Sequence, residues 1–342
     1  MRDGSIRILK GHEVLSLLTG REDEIMAAVR AAYLAHGGGD TSLPHSTFLR
    51  FPNAASNRII ALPAYLGGPS GIAGVKWVSS FPGNIERGLD RASAVLILSS
   101  AATGRPEAIM EGSIISAKRT AASAALAASS LHRDETAPVG IVGCGLINFE
   151  VVRFLLAALP KLKSFNVFDI NAERADGFRE KCLKTFAGIN VEATTDLQAV
   201  LANSSLISLA TTAARPHIDD LSACAPGTTI LHVSLRDLSP EVILSCDNVV
   251  DDIDHVCRAQ TSLHLTEQLV GNRDFIRCPL ADILRGDAPA RRDPQSVVVF
   301  SPFGLGILDI AVGQLVYDLS AEERQGSVID AFLPKPWTER AG

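Results

Sequence analysis

Apolar and polar positions follow two different rhythms along the chain, and the change between them falls about a third of the way in. The first apolar run, Ile6–Leu9, predicts a short strand. Thr19-x-x-Glu22 has the form of a capping box, where hydroxyl and carboxyl each satisfy an unpaired backbone N–H, and it predicts a helix start. Ile25, Val29, Ala32 and Tyr33 then recur at helical spacing, and Gly37-Gly38-Gly39 ends the helix. Strands are predicted at 58–63 and, past the turn Gly67-Gly68-Pro69, at 72–79; residues 94–99 and 107–110 flank Thr103-Gly104-Arg105-Pro106 as a hairpin. Tight turns join only antiparallel neighbours, so this region predicts an α+β unit with an antiparallel sheet.

From Ser113–Leu131 the chain is Ala-rich and helical, a natural connector. Beyond it, apolar runs at 138–142, 164–168, 206–210, 229–234, 248–250 and 297–300 alternate with helical stretches such as 146–159 and 172–186. That alternation implies right-handed crossovers and a mostly parallel, doubly wound sheet. The helical stretch 305–317 follows Phe303 and is expected to return to the first unit. The predicted fold class is therefore α/β, with one domain built from 1–118 with 315–342 and a second from 119–314.

Composition narrows the function classes. A chain of 342 residues suits two domains. With 46% hydrophobic, 20% charged and only 5% aromatic residues, the core is expected to be aliphatic. The balance of 32 basic against 38 acidic residues, a net −6 without any basic block, argues against a nucleic-acid partner. The opening Met1-Arg2-Asp3-Gly4-Ser5-Ile6-Arg7 lacks the apolar run of a signal peptide, and 92–102 and 121–131 are too short or too rich in Ser and Ala to span a bilayer. Cys144, Cys182, Cys224, Cys246, Cys257 and Cys278 are scattered, which reads as reduced thiols in the cytoplasm, and no His or Cys spacing suggests a metal.

The strongest chemical motif is Gly143-Cys144-Gly145-Leu146-Ile147-Asn148, directly after a strand and at the head of a helix. The first glycine permits a tight turn, the second lets the backbone approach a pyrophosphate, and the helix N-terminus supplies unpaired N–H groups. Asn148 replaces the third glycine of the fingerprint. Asp169 ends the next strand, where a carboxylate takes ribose hydroxyls and repels the 2′-phosphate of NADP. These features predict a Rossmann domain with NAD as cofactor. A strand-end cap is the plainer reading of Asp169.

Lys76-Trp77-Val78 leading to Pro82-x-Asn84, Thr103-Gly104-Arg105-Pro106, Arg119-Thr120-Ala121-Ala122 and Gly143-x-Gly145 recur in this order in the ornithine cyclodeaminase/mu-crystallin family, which the chain resembles over nearly its whole length. The resemblance implies an N-terminal substrate and dimerisation domain completed by the C-terminal helix, a Rossmann domain between, and a homodimer. It implies that Arg50, Lys76 and Arg119 grip the carboxylate of a small amino-acid substrate, a task that suits a guanidinium. It makes Asp237 the catalytic acid/base, with Lys76 a second proton carrier. Ser93, Arg119, Thr120, Leu146, Ile147, Thr211, His232, Val233, Ser234 and Ser301 take cofactor-contacting positions, and Phe303 a position near the substrate. Plainer readings stand beside these: Arg50 as a surface residue, Arg119 as a solvated helix residue, and Asp219, Asp220, Asp251, Asp252 or Asp254 in place of Asp237.

Ornithine cyclodeaminases carry a glutamate shortly before the proline that matches Pro63, whereas Arg58-Ile59-Ile60-Ala61-Leu62-Pro63 has no carboxylate for a side-chain ammonium. That strand, Arg91-Ala92-Ser93, Ile141-x-Gly143-Cys144-Gly145-Leu146-Ile147 and Pro302-x-Gly304 look closer to another branch. Its activity is NAD-dependent oxidative cleavage of N-(2-amino-2-carboxyethyl)-L-glutamate to 2,3-diaminopropionate, a siderophore or antibiotic precursor, and 2-oxoglutarate. A substrate with three carboxylates suits an arginine-rich pocket, and Arg91 and Arg236 are candidates for the extra contacts. The competing readings are a cyclodeaminase, another amino-acid dehydrogenase or ketimine reductase, and a cofactor-binding protein without turnover.

Overall fold

The computed structural model describes residues 4–68 and 71–340. Residues 1–3, Pro69 of the turn at 67–69 and the last two residues of the 315–342 stretch lie outside the described residues. The chain divides into two compact units, Met1–Arg119 with Gly306–Gly342, and Thr120–Leu305. The return to the first unit thus falls at Gly306 rather than at 315.

The first unit runs β1 (Ile6–Leu9), α1 (Gly11–Leu18), α2 (Glu22–Gly37), β2 (Thr41–Ser42), β3 (Thr47–Phe51), β4 (Ala54–Leu66), β5 (Ile72–Ser80), β6 (Ala92–Ser100), β7 (Pro106–Glu111) and into α3 (Ser113–Leu131). The second unit runs β8 (Val139–Val142), α4 (Leu146–Ala158), β9 (Ser164–Phe168), α5 (Ala172–Thr185), β10 (Asn190–Thr194), α6 (Leu197–Ala202), β11 (Leu206–Leu209) and β12 (Thr229–His232). It continues through α7 (Pro240–Ser245), β13 (Asp247–Val250), α8 (Ile253–Val256), α9 (Ser262–Val270), β14 (Ile276–Pro279), α10 (Leu280–Arg285) and β15 (Val298–Ser301). The chain then re-enters the first unit with α11 (Gly306–Glu322) and β16 (Ser327–Ile329).

The sheet of the first unit has the order β16-β1-β7-β6-β5-β4-β2, with β3 paired to β4. Its hairpin-joined strands are antiparallel as predicted. The β1–β7 pair is parallel, because α1, α2 and the strands between carry the chain across the sheet before β7 returns beside β1. The capping-box reading of Thr19 does not hold. Thr19 instead ends α1, its hydroxyl donating to the Leu15 carbonyl, and α2 opens at Glu22 behind Arg21. The α2 residues Ile25, Val29, Ala32 and Tyr33 are all buried, as their spacing predicts.

Residues opposite one another in antiparallel strands share a face. Leu62, Lys76 and Leu96 are such partners, and Ala64, Gly74 and Leu98 form the next row. These rows are the buried face, covered by α11, whereas Trp77 and Val95 on the other face are exposed. Gly74 sets the depth of that contact. A Cβ there would stand 2.7 Å from Cδ1 of Ile310 and closer still to the Ile97 carbonyl oxygen, so only glycine lets the helix sit this near the strand.

The sheet of the second unit has the order β10-β9-β8-β11-β12-β15-β13-β14 and is parallel throughout its described pairs. Its central strands β8, β11, β12 and β15 are buried at every position, the continuous apolar pattern of a sheet covered on both sides. The order reverses between β8 and β11. Connections leave those two strands in opposite directions there, which opens a crevice at their carboxyl ends.

Candidate active site

In the first unit a cluster of charges lies under α11. Lys76 occupies the middle of β5 between Leu62 and Leu96 and is 3% exposed. Its Nζ lies 2.8 Å from Oδ2 of Asp309 and donates to Oγ of Ser116 at 3.0 Å. Arg119 on α3 donates from Nε to the other Asp309 oxygen at 3.0 Å. Asp309 has no exposure and is the single acid in the first three turns of its helix, flanked there by apolar residues. The cluster therefore carries two positive charges against one negative, and its net charge suits an anionic ligand. Burial lowers the Lys76 pKa, the charge of Arg119 lowers it further, and Asp309 offsets part of this, leaving it at about 8.

Sequence reasoning missed Asp309. The available signal was a carboxylate flanked by Ile307, Leu308, Ile310 and Ala311, since burial of an acid among such residues requires a cation.

Of the other predicted substrate residues, Arg50 is exposed on β3, its guanidinium 5.6 Å from the centroid of the Phe48 ring. It is paired with Arg58 of β4, which is paired with Ser80 of β5, so the register puts Arg50, Arg58 and Lys76 on one sheet face. Arg91 is half-buried just ahead of β6. Ser93, expected near the cofactor, is paired with Ser79 across β5 and β6, with their hydroxyls 2.8 Å apart, on the face opposite Lys76. Arg236 is also placed otherwise than expected. Its guanidinium donates to the carbonyls of Ala259 and Gln260, two residues with positive φ, and so serves to hold a strained turn.

In the second unit the glycine turn stands at the end of β8. Gly143 has φ +92°, and a Cβ there would lie 2.6 Å from the Ala210 carbonyl oxygen at the end of β11. Gly145 opens α4 without a side-chain cap, and nothing lies within 4 Å of where its Cβ would be. Leu146 and Ile147 form the first turn of that helix, and Leu146 is exposed. Asp169, after β9, accepts the Cys144 N–H on Oδ2 at 2.9 Å and the Asn171 N–H on Oδ1 at 3.0 Å, which fixes the glycine turn and the ribose-type carboxylate to each other. Asn148 is fully buried. It donates to the carbonyls of Val142 and Gly143 and accepts from Ser208, stitching β8 to β11 where the fingerprint's third glycine would stand. An uncapped helix N-terminus, open space above the second glycine and a carboxylate at the next strand end fit the pyrophosphate and ribose of a dinucleotide.

The remaining predicted residues of this unit follow strand ends. Ser234 donates its N–H and hydroxyl to the Leu209 carbonyl, with Val233 beside it. Thr120 lies in α3, at the start of the unit. Phe303 packs against the unit's hydrophobic core. Its loop is tied down by Asp251, fully buried, which accepts N–H groups of Phe303 at 2.9 Å and Gly304 at 2.7 Å. Asp251 is thus a loop anchor.

Asp237 is buried beyond β12. Its Oδ1 accepts from Thr211 and from Nε2 of His217 at 3.1 Å. Its own N–H donates to Nε2 of His232 at 3.2 Å, and that nitrogen also lies 3.4 Å from Oδ2 of Asp237. Nδ1 of His232 lies 3.1 Å from Oγ of Ser301. Burial pushes the Asp237 carboxyl up, but hydrogen bonding, above all from His217, outweighs it and holds the group well below the usual carboxylate range. Asp237 is a permanent anion at neutral pH and a weak base. His217 is a residue that sequence reasoning passed over. Among the described residues no group of three His, Cys, Asp or Glu side chains is placed to hold a metal ion.

The doubly wound sheet, the glycine turn and the carboxylate after β9 define a dinucleotide-binding protein of the oxidoreductase type. More narrowly, the chain belongs to the ornithine cyclodeaminase/mu-crystallin family, whose model matches residues 8–324. It is 28% identical over 311 residues to N-((2S)-2-amino-2-carboxyethyl)-L-glutamate dehydrogenase of Staphylococcus aureus, covering 89% of this chain and 92% of that one. The structure of Thermococcus litoralis Δ1-pyrroline-2-carboxylate reductase in complex with NADH and L-proline superimposes with a TM-score of 0.87 at 26% identity, over 94% of this chain and 99% of that one. An archaeal alanine dehydrogenase dimer with bound NAD gives 0.85 at 25% identity, over 95% and 99%.

Two predictions follow from this geometry. Gly143→Ala should destabilise the protein by about 1–3 kcal/mol in urea unfolding, since both its φ and its Cβ position oppose a side chain, whereas Gly145→Ala should fold normally and bind NAD more weakly in a fluorescence titration. Asp309→Asn leaves Lys76 and Arg119 buried without their anion and should cost about 3–5 kcal/mol near neutral pH. Part of that loss should be recovered as pH rises towards 10.5, in a window that opens below the wild-type value of about 8 because Asp309 no longer favours the charged lysine. In that window unfolded Lys76 still binds a proton that the folded chain has released, so stability increases with pH.

Proposed function

We propose that this enzyme, an NAD-dependent oxidoreductase acting on amino-acid substrates, oxidises the glutamate Cα–N bond of N-(2-amino-2-carboxyethyl)-L-glutamate and hydrolyses the imine, yielding 2,3-diaminopropionate, 2-oxoglutarate and NADH. The observation that carries this reading is the charge arrangement on the first unit's sheet. Arg50, Arg58 and Lys76 share one face, and the buried acid beside them, Asp309, already has both oxygens engaged by cations. Such a surface presents positive charge to carboxylates, and Asp309 is already paired rather than open to the side-chain ammonium of ornithine. Similarity to the staphylococcal dehydrogenase over most of both chains supports the same substrate.

Residues 143–147 with Asp169 hold NAD, which when bound supplies the hydride acceptor. Arg119 and Arg50 orient a substrate carboxylate, which converts an encounter into an aligned reaction. Lys76, with its pKa at about 8, is partly neutral near physiological pH and takes the proton from the substrate ammonium, freeing the nitrogen lone pair as Cα–H is lost. Asp237, held as an anion, stabilises positive charge and orients its neighbours. A carboxyl held so far below the usual range is a weak base, so we assign Asp237 charge and orientation rather than the acid/base role that the resemblance implies. The working assembly is a homodimer, the state recorded for the archaeal alanine dehydrogenase, and the six free thiols suit a reducing cytoplasm.

The test is NADH formation over a panel of the glutamate conjugate, ornithine, alanine, proline and an opine, with products identified by mass. NADH, 2-oxoglutarate and 2,3-diaminopropionate are expected from the conjugate alone. NADH from alanine or proline with none from the conjugate would overturn the assignment. For the conjugate, kcat/KM should rise about tenfold per pH unit up to about pH 8 and level off above it, and Lys76→Met should lose about 100-fold together with that limb of the profile.

A further inference from the structure

His217 belongs to no predicted role, yet its position is built with care. The segment from His217 to Ile218 is laid along the chain at Asp237: the N–H groups of His217 and Ile218 both donate to the Asp237 carbonyl, at 3.0 and 2.9 Å, and Ser239 N–H returns to the Ile218 carbonyl at 3.0 Å. Main-chain pairing therefore fixes the imidazole beside the Asp237 carboxylate, 3.1 Å from Nε2 to Oδ1. The two partners differ sharply in access. Asp237 has no exposure, whereas the His217 side chain is 37% exposed. Thr211 donates to the same carboxylate oxygen and holds it in place.

We propose that His217 and Asp237 form a histidine–aspartate acid–base dyad in which His217, oriented by the buried carboxylate, carries the protons of the hydrolytic half of the reaction. This rests on the function proposed above. With Nε2–H committed to Asp237, the proton that His217 gains or loses is the one on Nδ1. In the first step neutral His217 takes a proton from water as the water oxygen bonds to the iminium carbon, whose C=N pair passes to nitrogen, giving a carbinolamine. In the second, protonated His217 returns that proton to the amine nitrogen, the C–N bond breaks, and its electrons leave with the amine. The carbinolamine hydroxyl loses its proton to solvent and becomes the ketone of 2-oxoglutarate. Aspartate supplies orientation and charge, and histidine the exchangeable proton, a division that suits a deeply acidified carboxyl beside an accessible imidazole.

The charged groups facing His217 are Asp237, after β12, and Asp219 on its own segment, with the titratable His232 also against Asp237. The hydrogen bond from Asp237 raises the His217 pKa, burial works against it, and the charges of Asp237 and Asp219 raise it further.

Two measurements test the dyad. Imidazole nitrogen NMR on the full-length protein, with the resonance assigned through His217→Gln, should place the His217 pKa above 6.5 in the wild type and lower in Asp237→Asn. Titration near 6.5 in both proteins would exclude the dyad without recourse to activity. In rapid-mixing experiments with the conjugate and NAD, His217→Gln should form one equivalent of NADH at close to the wild-type rate and release 2-oxoglutarate about 100-fold more slowly, with partial rescue by free imidazole. Release at the wild-type rate would remove His217 from the chemistry. If wild-type enzyme forms no NADH from the conjugate, the function proposed above fails and the hydrolytic role with it, while the NMR result decides the dyad on its own.

Discussion

A lysine in the middle of an apolar β-strand cannot be left alone there. Its desolvation costs several kcal/mol unless an anion comes with it or the proton leaves. In this chain both responses occur together. Asp309 arrives on α11, bonds Lys76 on one oxygen and Arg119 on the other, and the remaining desolvation draws the Lys76 pKa down to about 8. Much of the first unit serves that pairing. The helix that carries Asp309 comes from almost 200 residues downstream of Arg119, with the whole second unit inserted between. The buried cluster gives a physical reason for the chain to return and complete its first domain, and Gly74 provides the room for the helix to approach.

The second unit solves a different problem with the same economy of means. A parallel sheet buried on both sides leaves its functional groups nowhere to stand except beyond the carboxyl ends of the strands. Gly143 after β8, Asp169 after β9, Thr211 after β11, Asp237 after β12 and Asp251 after β13 all stand there. Their partners are mostly main-chain N–H groups and short polar side chains of neighbouring loops, so each carboxylate fixes a loop as well as offering a charge. Asp251 holds the Phe303 loop, Asp169 holds the glycine turn, and Asp237 accepts from Thr211 and His217 while its backbone holds the segment at 217–218.

What the sequence made legible follows from what a local pattern can encode. Six of the eight strands of the second unit and the helices α3, α4 and α5 are legible almost to their ends as strong local periods, whereas the edge strands β10 and β14 carry no such run and are missed. The capping box at Thr19 failed because the same residues close one helix and precede another, and no local rule says which. The parallel β1–β7 pair was hidden because strand partners far apart in sequence leave no turn signal between them. The site was legible where a motif is contiguous, as at Gly143-Cys144-Gly145, and opaque where it is assembled. Asp309 looks like a flaw in an apolar helix until β5 and α3 are packed against it. His217 looks like one polar residue in a loop until the register with 237–239 puts it on a carboxylate.

Lys76 and His217 are tuned in opposite senses by their surroundings. Lys76 is surrounded by apolar neighbours and shares its anion with Arg119, so burial governs and its pKa falls by more than two units to about 8. His217 is partly exposed and hydrogen-bonded to a buried aspartate carboxylate, so pairing governs and its pKa rises above 6.5. Starting four units apart, at 10.5 and 6.5, a lysine and a histidine are thus brought towards one another across the neutral range. An amine oxidation that must first deprotonate an ammonium and then protonate a departing amine needs a base and an acid that both exchange protons near the same pH. The reaction proposed above asks for such a pair, and neither residue type supplies it unperturbed.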